Sequence, residues 1–121
     1  MAEITGDSSP TETTGVVTCL VTCPRSDADR IANALVQAGN AACVNVIDGI
    51  RSIYRWQSKV ERDEEALLIV KTTSATVAEL DGQLTEIHPY DVHELICLPV
   101  ESGNPDYLGW IADSVGRRPP G

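Results

Sequence analysis

Two imidazoles and two carboxylates fall within seven residues in the segment His88-Pro89-Tyr90-Asp91-Val92-His93-Glu94. Borderline divalent ions such as Cu²⁺ and Zn²⁺ accept imidazole nitrogen and carboxylate oxygen together. His88, His93, Glu94 and Asp91 are therefore the candidate metal ligands, for copper or for other divalent cations such as zinc. Their spacing matches no named motif, and the chain must bend to bring the two histidines together. A structural reading stands beside this one. His88 can close a helix by bonding its last carbonyls, and Glu94 can pair with a lysine or arginine.

Four cysteines offer softer ligands: Cys19, Cys23, Cys43 and Cys97. Cys19 and Cys23 lie four residues apart on one expected strand, so about 13 Å separates them at ~3.3 Å per residue. They cannot chelate one ion within a chain. All four read as small buried residues, and their spacings match neither a zinc finger nor a Cys-x-x-Cys redox pair. Tyr54 and Trp56 share a strand face with Ser52, in a chain with only five aromatic residues. They fit either a cleft at a subunit boundary or plain packing across it. Lys71 ends an apolar strand, as an anion-binding group or as an ion-pair partner. Arg51, Arg55, Lys59 and Arg62 cluster with it, against Glu61, Asp63, Glu64 and Glu65. Ion pairs between subunits account for that cluster without a ligand. No P-loop, G-x-G-x-x-G, G-x-S-x-G or H-E-x-x-H is present, so neither nucleotide binding nor catalysis is expected.

The elements that must hold these residues follow from periodicity. Val16–Thr22 is a β-branched run stopped by Pro24, a buried first strand. Ser26 is placed to cap a helix whose apolar stripe is Ala28, Ile31, Ala32, Leu35 and Val36, with Gly39 as its stop. Residues 42–56 form a long extended segment with a bulge at Gly49. Gln57-Ser58 is the turn, and residues 59–72 return as a second long strand. Thr73 or Ser74 caps a second helix with Val77, Leu80, Leu84 and Ile87 on one side, ended by His88-Pro89. Residues 93–100 are a fourth strand. Asn104-Pro105 starts a third helix, with Tyr107, Leu108, Ile111, Ala112 and Val115 turned inward.

The order β-α-β-β-α-β-α gives an α+β fold, a ferredoxin-like βαββαβ sandwich with an added C-terminal helix. Both earlier helices then cover one face of an antiparallel sheet. The other face is bare, and it needs cover if Cys19, Val21, Val44, Val46 or their neighbours lie there. Fifteen extended residues span about 50 Å, against a radius of gyration near 13 Å for a domain of ~100 residues. The β2–β3 hairpin must overhang, and an overhanging hairpin with open edges asks for another subunit. A homo-oligomer is the expectation.

The chain has 121 residues and a net charge of −9. Residues 1–14 are expected as a disordered tail, 15–116 as one domain and 117–121 as a flexible end. So acidic a chain is a poor partner for nucleic acid or an anionic membrane. No apolar run approaches ~18 residues, and the first residues do not look like a secretory signal. A cytoplasmic protein with reduced thiols is expected.

Several fragments, in order, resemble the CutA family of divalent-cation tolerance proteins. They are Ala41-Ala42-Cys43-Val44-Asn45, Ser52-Ile53-Tyr54-Arg55-Trp56, Lys59, Glu65, Lys71-Thr72-Thr73, His88-Pro89-Tyr90, Glu94, and Asp106-Tyr107-Leu108-x-Trp110. The resemblance covers roughly residues 16–115. It implies a ferredoxin-like homotrimer, cytoplasmic in bacteria, associated with copper and other divalent ions in metal tolerance or homeostasis. Two positions depart from the family pattern: Ser58 stands where a glycine is usual, and His93 where a proline is usual. A second reading comes from architecture alone, by analogy with trimeric nitrogen-regulatory signal proteins. There a small anion would sit in an intersubunit cleft lined by Tyr54, Trp56, Lys71 and Tyr107.

Overall fold

The structure is a computed structural model, and it describes residues 14–116. The tail expected over 1–14 lies outside the described residues except for Thr14. The Thr14 hydroxyl donates to the Val100 carbonyl (2.6 Å) and accepts from Val16 N–H (3.1 Å), which ties the chain down one residue earlier than expected. The end at 117–121 also lies outside.

Seven principal elements follow in the expected order: β1 (Val16–Cys23), α1 (Ala28–Gln37), β2 (Cys43–Trp56), β3 (Lys59–Thr73), α2 (Val77–Ile87), β4 (Ile96–Pro99) and α3 (Pro105–Ser114). The four strands form one antiparallel sheet in the order β2–β3–β1–β4. Strand residues alternate between faces. One face of β1 and β3 carries Val17, Cys19, Val21, Cys23, Ala66, Leu68 and Val70, packed with Ile31 and Leu35 of α1 and Leu80 and Leu84 of α2. This is the core. Each of its large side chains removes apolar area worth about 1.5–3 kcal/mol. Among the described residues no helix is long and apolar enough to cross a membrane.

The opposite face lacks the two helices. Cys19 and Val21 do not lie on it, because the burial alternates the other way. Their neighbours do: Leu20 stands opposite Ile69 and Ile96, and Leu67 opposite Ile47. Ile47, Ile96 and Leu98 are exposed there. The hairpin overhangs as its length requires. β1 pairs with β3 only over Ala66–Thr73, while Lys59–Glu65 pair solely with Ile50–Trp56 of β2. Near its tip Ile53, Trp56 and Val60 are 60–69% exposed.

Several boundaries differ from expectation. Ser26 caps nothing: residues 25–27 make a 3-10 turn, and Asp27 precedes α1 without a side-chain cap. A second 3-10 turn, Ser74–Thr76, displaces α2 in the same way, and the Thr73 hydroxyl bonds the Thr76 hydroxyl (2.7 Å) instead of capping. Val36 is exposed at the edge of its stripe. Tyr107 and Ala112 face outward, and only Ile111 of α3 is fully buried. The ten-residue helix meets β1 and β3 along a narrow stripe. Its start is as expected, with Asn104 Oδ1 accepting from Tyr107 N–H (3.0 Å) and Pro105 at the first position.

β4 is the largest departure. It begins at Ile96, opposite Leu20, three residues later than expected. The next β1 carbonyl on that edge, Thr22, accepts from the His88 ring (2.8 Å), so the ladder has no partner with which to continue.

The hairpin turn is formed by Gln57 (φ 51°) and Ser58 (φ 67°). Two successive positive φ values match the twist of the flanking strands. They cost a side-chain-bearing residue about 1 kcal/mol each. Ser58→Gly should therefore raise the unfolding free energy by about 1 kcal/mol. A denaturant midpoint at fixed protein concentration checks this, and no gain would mean the turn is relaxed with serine in place.

Candidate functional site

The bulge in β2 sets which side chains meet. Cys43–Ile47 pair with Leu67–Lys71, then Asp48-Gly49 interrupt the register, and Ile50 pairs with Glu65. Gly49 takes φ 74°, a conformation most residues avoid. Arg25 holds the bulge from outside, donating to both Asp48 carboxylate oxygens (2.9 and 3.2 Å) and to Glu64 (3.4 Å). Beyond the interruption, Ser52, Tyr54 and Trp56 share one face with Asp63 and Glu65.

The segment after α2 folds onto that face. His88 is buried and uses both ring nitrogens. Nδ1 accepts from Tyr90 N–H (3.1 Å), so Nε2 carries the proton and donates to the Thr22 carbonyl (2.8 Å). Tyr90 is thereby aimed at β3, where its hydroxyl donates to Glu65 (2.6 Å), a carboxylate only 6% exposed. The Thr22 hydroxyl donates to Glu94 (3.2 Å). The result is a cleft of about 560 Å³ between the overhanging hairpin and the loop. Four carboxylates line it, those of Asp63, Glu65, Asp91 and Glu94. Tyr54, Trp56 and Tyr90 supply aromatic walls, and among the described residues no lysine or arginine lines it.

Of the four expected ligands, Asp91 and Glu94 line this cleft, and the two histidines do not. The imidazoles do come together, with ring centroids 5.5 Å apart. His88 closes α2 as expected, its backbone N–H donating to the Leu84 carbonyl (2.8 Å), while its ring is engaged as above with Thr22 and Tyr90. His93 Nε2 bonds Asp81 of α2 (2.7 Å). Among the described residues no three His, Cys, Asp or Glu side chains converge tightly enough to hold one ion. The expected anion cleft divides within the chain. Tyr54 and Trp56 line the cleft, whereas Lys71 bonds Asn45 and Tyr107 stacks on Trp110 with ring centroids 5.6 Å apart.

Asp63, Glu65, Tyr90 and Thr22 were not among the expected site residues. Two of them were readable from the turn. A two-residue turn at Gln57-Ser58 fixes Trp56 opposite Lys59, and counting back puts Ser52 opposite Asp63. Tyr90 and Thr22 meet the site through tertiary contacts that no spacing encodes.

Both tyrosines on the cleft resist ionisation. The hydrogen bond to Asp63 pushes Tyr54 up to about 12, with desolvation and nearby carboxylates adding to it. Burial pushes Tyr90 upward as well, together with its bond to Glu65. In each case the folded value lies above the ordinary 10. The stability these phenols contribute is complete below pH 10 and is lost as pH rises from there toward the folded values. The unfolding midpoint should therefore fall above pH 10, and Tyr90→Phe or Tyr54→Phe should flatten that fall. An unchanged slope in both variants would show that neither hydroxyl is held as described.

Comparison with known proteins agrees with this architecture. Residues 17–114 match the family described as CutA1 divalent ion tolerance protein. The "Protein CutA homolog" of Xenopus laevis is 51% identical over 96 residues, 78% of this chain and 64% of its own length. The chain thus spans less than two-thirds of that relative. The "Divalent-cation tolerance protein CutA" of Thermus thermophilus is 45% identical over 98 residues, 80% of this chain and 95% of its own. A solved structure of the divalent cation tolerance protein from Thermus thermophilus superposes with a TM-score of 0.82 at 43% identity. It covers 84% of this chain and 99% of the other. The chain belongs to the CutA1 divalent ion tolerance family.

Proposed function

We propose that this member of the family binds divalent cations, copper foremost and zinc next, and serves metal tolerance or homeostasis. The observation that carries this reading is the cleft: four carboxylates face one cavity, with no basic side chain of the described residues among them. Such a wall attracts cations and repels anions. Carboxylate oxygen suits hard and borderline divalent ions, and imidazole from the same loop suits copper and zinc. Asp91 and Glu94 are the first ligands in this reading, with Asp63 and Glu65 across the cleft. His93 joins by leaving Asp81. His88 is the least available of the four, since a ligand role would cost the half-buried Thr22 carbonyl its partner. The names of the relatives support a metal role, because the Thermus thermophilus proteins are called divalent cation tolerance proteins. Binding is reversible in this account, and no catalytic step is assigned.

The working form we propose is a cytoplasmic, ferredoxin-like homotrimer. An overhanging hairpin tip with exposed Ile53, Trp56 and Val60 supports self-association. So do the open edges of β2 and β4 and the apolar face carrying Ile47, Ile96 and Leu98. Assembly also gives Arg51, Arg55, Lys59 and Arg62 access to carboxylates on another copy. None of these four makes an ion pair within the chain among the described residues.

Titration calorimetry with Cu²⁺ tests the site. The Asp91→Asn/Glu94→Gln double variant should bind at least about tenfold more weakly, a loss of ~1.4 kcal/mol. Native mass spectrometry should show the same oligomer as the parent. The His88→Ala/His93→Ala double variant should lose less copper affinity and more stability. Parental affinity in the acidic variant would remove the cleft as the metal site.

A further inference from the structure

Cys19 and Cys97 stand directly opposite each other on antiparallel β1 and β4. The Cys19 thiol donates to the Cys97 sulfur across 2.8 Å. Cys19 is fully buried, and Cys97 is half-buried at the sheet edge. Directly opposed residues on antiparallel strands have Cα atoms about 4.5–5.5 Å apart. Disulfides span ~4.4–6.8 Å between Cα atoms. The two sulfurs need approach by only about 0.75 Å to reach a bond length of ~2.05 Å. A metal ion between them needs the opposite movement. At ~2.3 Å for each metal–sulfur bond, the sulfurs would have to spread within a close-packed core. Closure is the easier path.

We propose that Cys19 and Cys97 form a redox-active pair that closes to an intrachain disulfide, pinning the edge strand β4 to β1. The oxidant is a low-molecular-weight disulfide. Cys97, the more open thiol, loses its proton, and its thiolate attacks one sulfur of the reagent. One small thiolate leaves, and a mixed disulfide remains on Cys97. Cys19 then loses its proton and attacks the Cys97 sulfur, expelling the second small thiolate. Two protein thiols are oxidised to one S–S bond. One small disulfide is reduced to two thiols, which take up the two protons. The order of attack follows from the environment: burial, and then the neighbouring Cys97 sulfur, push the Cys19 thiol upward. Cys19 suits the resolving role, which begins only when an electrophilic sulfur is already beside it. The consequence is local. β4 has four residues and, among the described residues, pairs only with β1, and the cleft loop at 88–95 leads directly into it. A cross-link at Cys97 anchors the end of that loop.

Cys23 and Cys43 serve as internal controls, since neither has a sulfur partner among the described residues. Full-length protein, freed of metal with a chelator, is incubated with glutathione disulfide, acid-quenched, unfolded and alkylated with iodoacetamide. Intact mass and peptide mapping should show two of the four cysteines protected and a linked Cys19–Cys97 peptide. The oxidised protein should melt higher by roughly 5 °C, and Cys23→Ser/Cys43→Ser should behave like the parent. Full alkylation of Cys19 and Cys97 after oxidation would overturn the proposal. A glutathione adduct persisting on Cys97, or a link to Cys23, Cys43 or another chain, would overturn it as well. The mapping of the parent protein decides the matter even if Cys23→Ser/Cys43→Ser fails to fold.

Discussion

His88 hydrogen-bonds through both ring nitrogens, and the course of the chain from α2 to β4 depends on those two bonds. β4 begins only opposite Leu20, which leaves the Thr22 carbonyl beyond the ladder. The imidazole takes the place that a strand N–H would otherwise fill. Its other nitrogen bonds Tyr90 N–H, which fixes the tautomer and turns Tyr90 toward β3. Either bond, if lost, leaves a backbone group without its partner at a cost of about 1–3 kcal/mol. Tyr90 then holds Glu65, and the Thr22 hydroxyl holds Glu94. Five residues from three parts of the chain thus share one network. The cleft is what remains between that network and the hairpin.

The second requirement is the bulge at Asp48-Gly49. Without it, β2 would keep one alternation from Cys43 to Trp56. Tyr54 and Trp56 would then face the side of Val44 and Val46 instead of the cleft. An exposed arginine–carboxylate pair normally adds only about 0–1 kcal/mol. Arg25 does more than its energy suggests, because its guanidinium grips both oxygens of Asp48 at the point where the strand changes face. The stabilisation is small, and the geometric consequence is large.

These two features also explain what was legible in the sequence. The long hairpin, the bulge glycine, the turn at Gln57-Ser58 and the Asn104-Pro105 start each carry a local signal, and each is present where that signal puts it. Ser26 and Thr73 failed as caps because a 3-10 turn inserted between cap and helix is a small energetic choice that residue type does not reveal. Tyr107 and Ala112 were misplaced because a helix docked by one side chain, Ile111, buries a narrower stripe than its apolar pattern offers. The acidic segment of β3 is the instructive case. Asp63 and Glu65 look like solvated residues within a charged run, yet Glu65 is buried and bonded by Tyr90, which reaches it from a part of the chain 25 residues away. His88 and His93 drew attention as ligands for a sound chemical reason. Their actual bonds go to a strand carbonyl and a helix carboxylate, which only the tertiary fold supplies.

The sheet separates two kinds of chemistry. Carboxylates and phenols occupy the face without α1 and α2, on the overhang and its loop. The Cys19–Cys97 pair lies on the helix-covered face, within or against the core. A cation in the cleft would meet oxygen ligands, with the backbone of β1 between it and the Cys19–Cys97 pair, whereas Cys43, opposite Lys71, lies on the cleft's own face. Under the proposed metal role this separation has a physical advantage, since Cu²⁺ readily oxidises accessible thiols. The link between the two faces is mechanical. Glu94 lies on the cleft and Cys97 in the core, three residues further along the chain. Whatever fixes β4 against β1 therefore limits how far the cleft carboxylates can move.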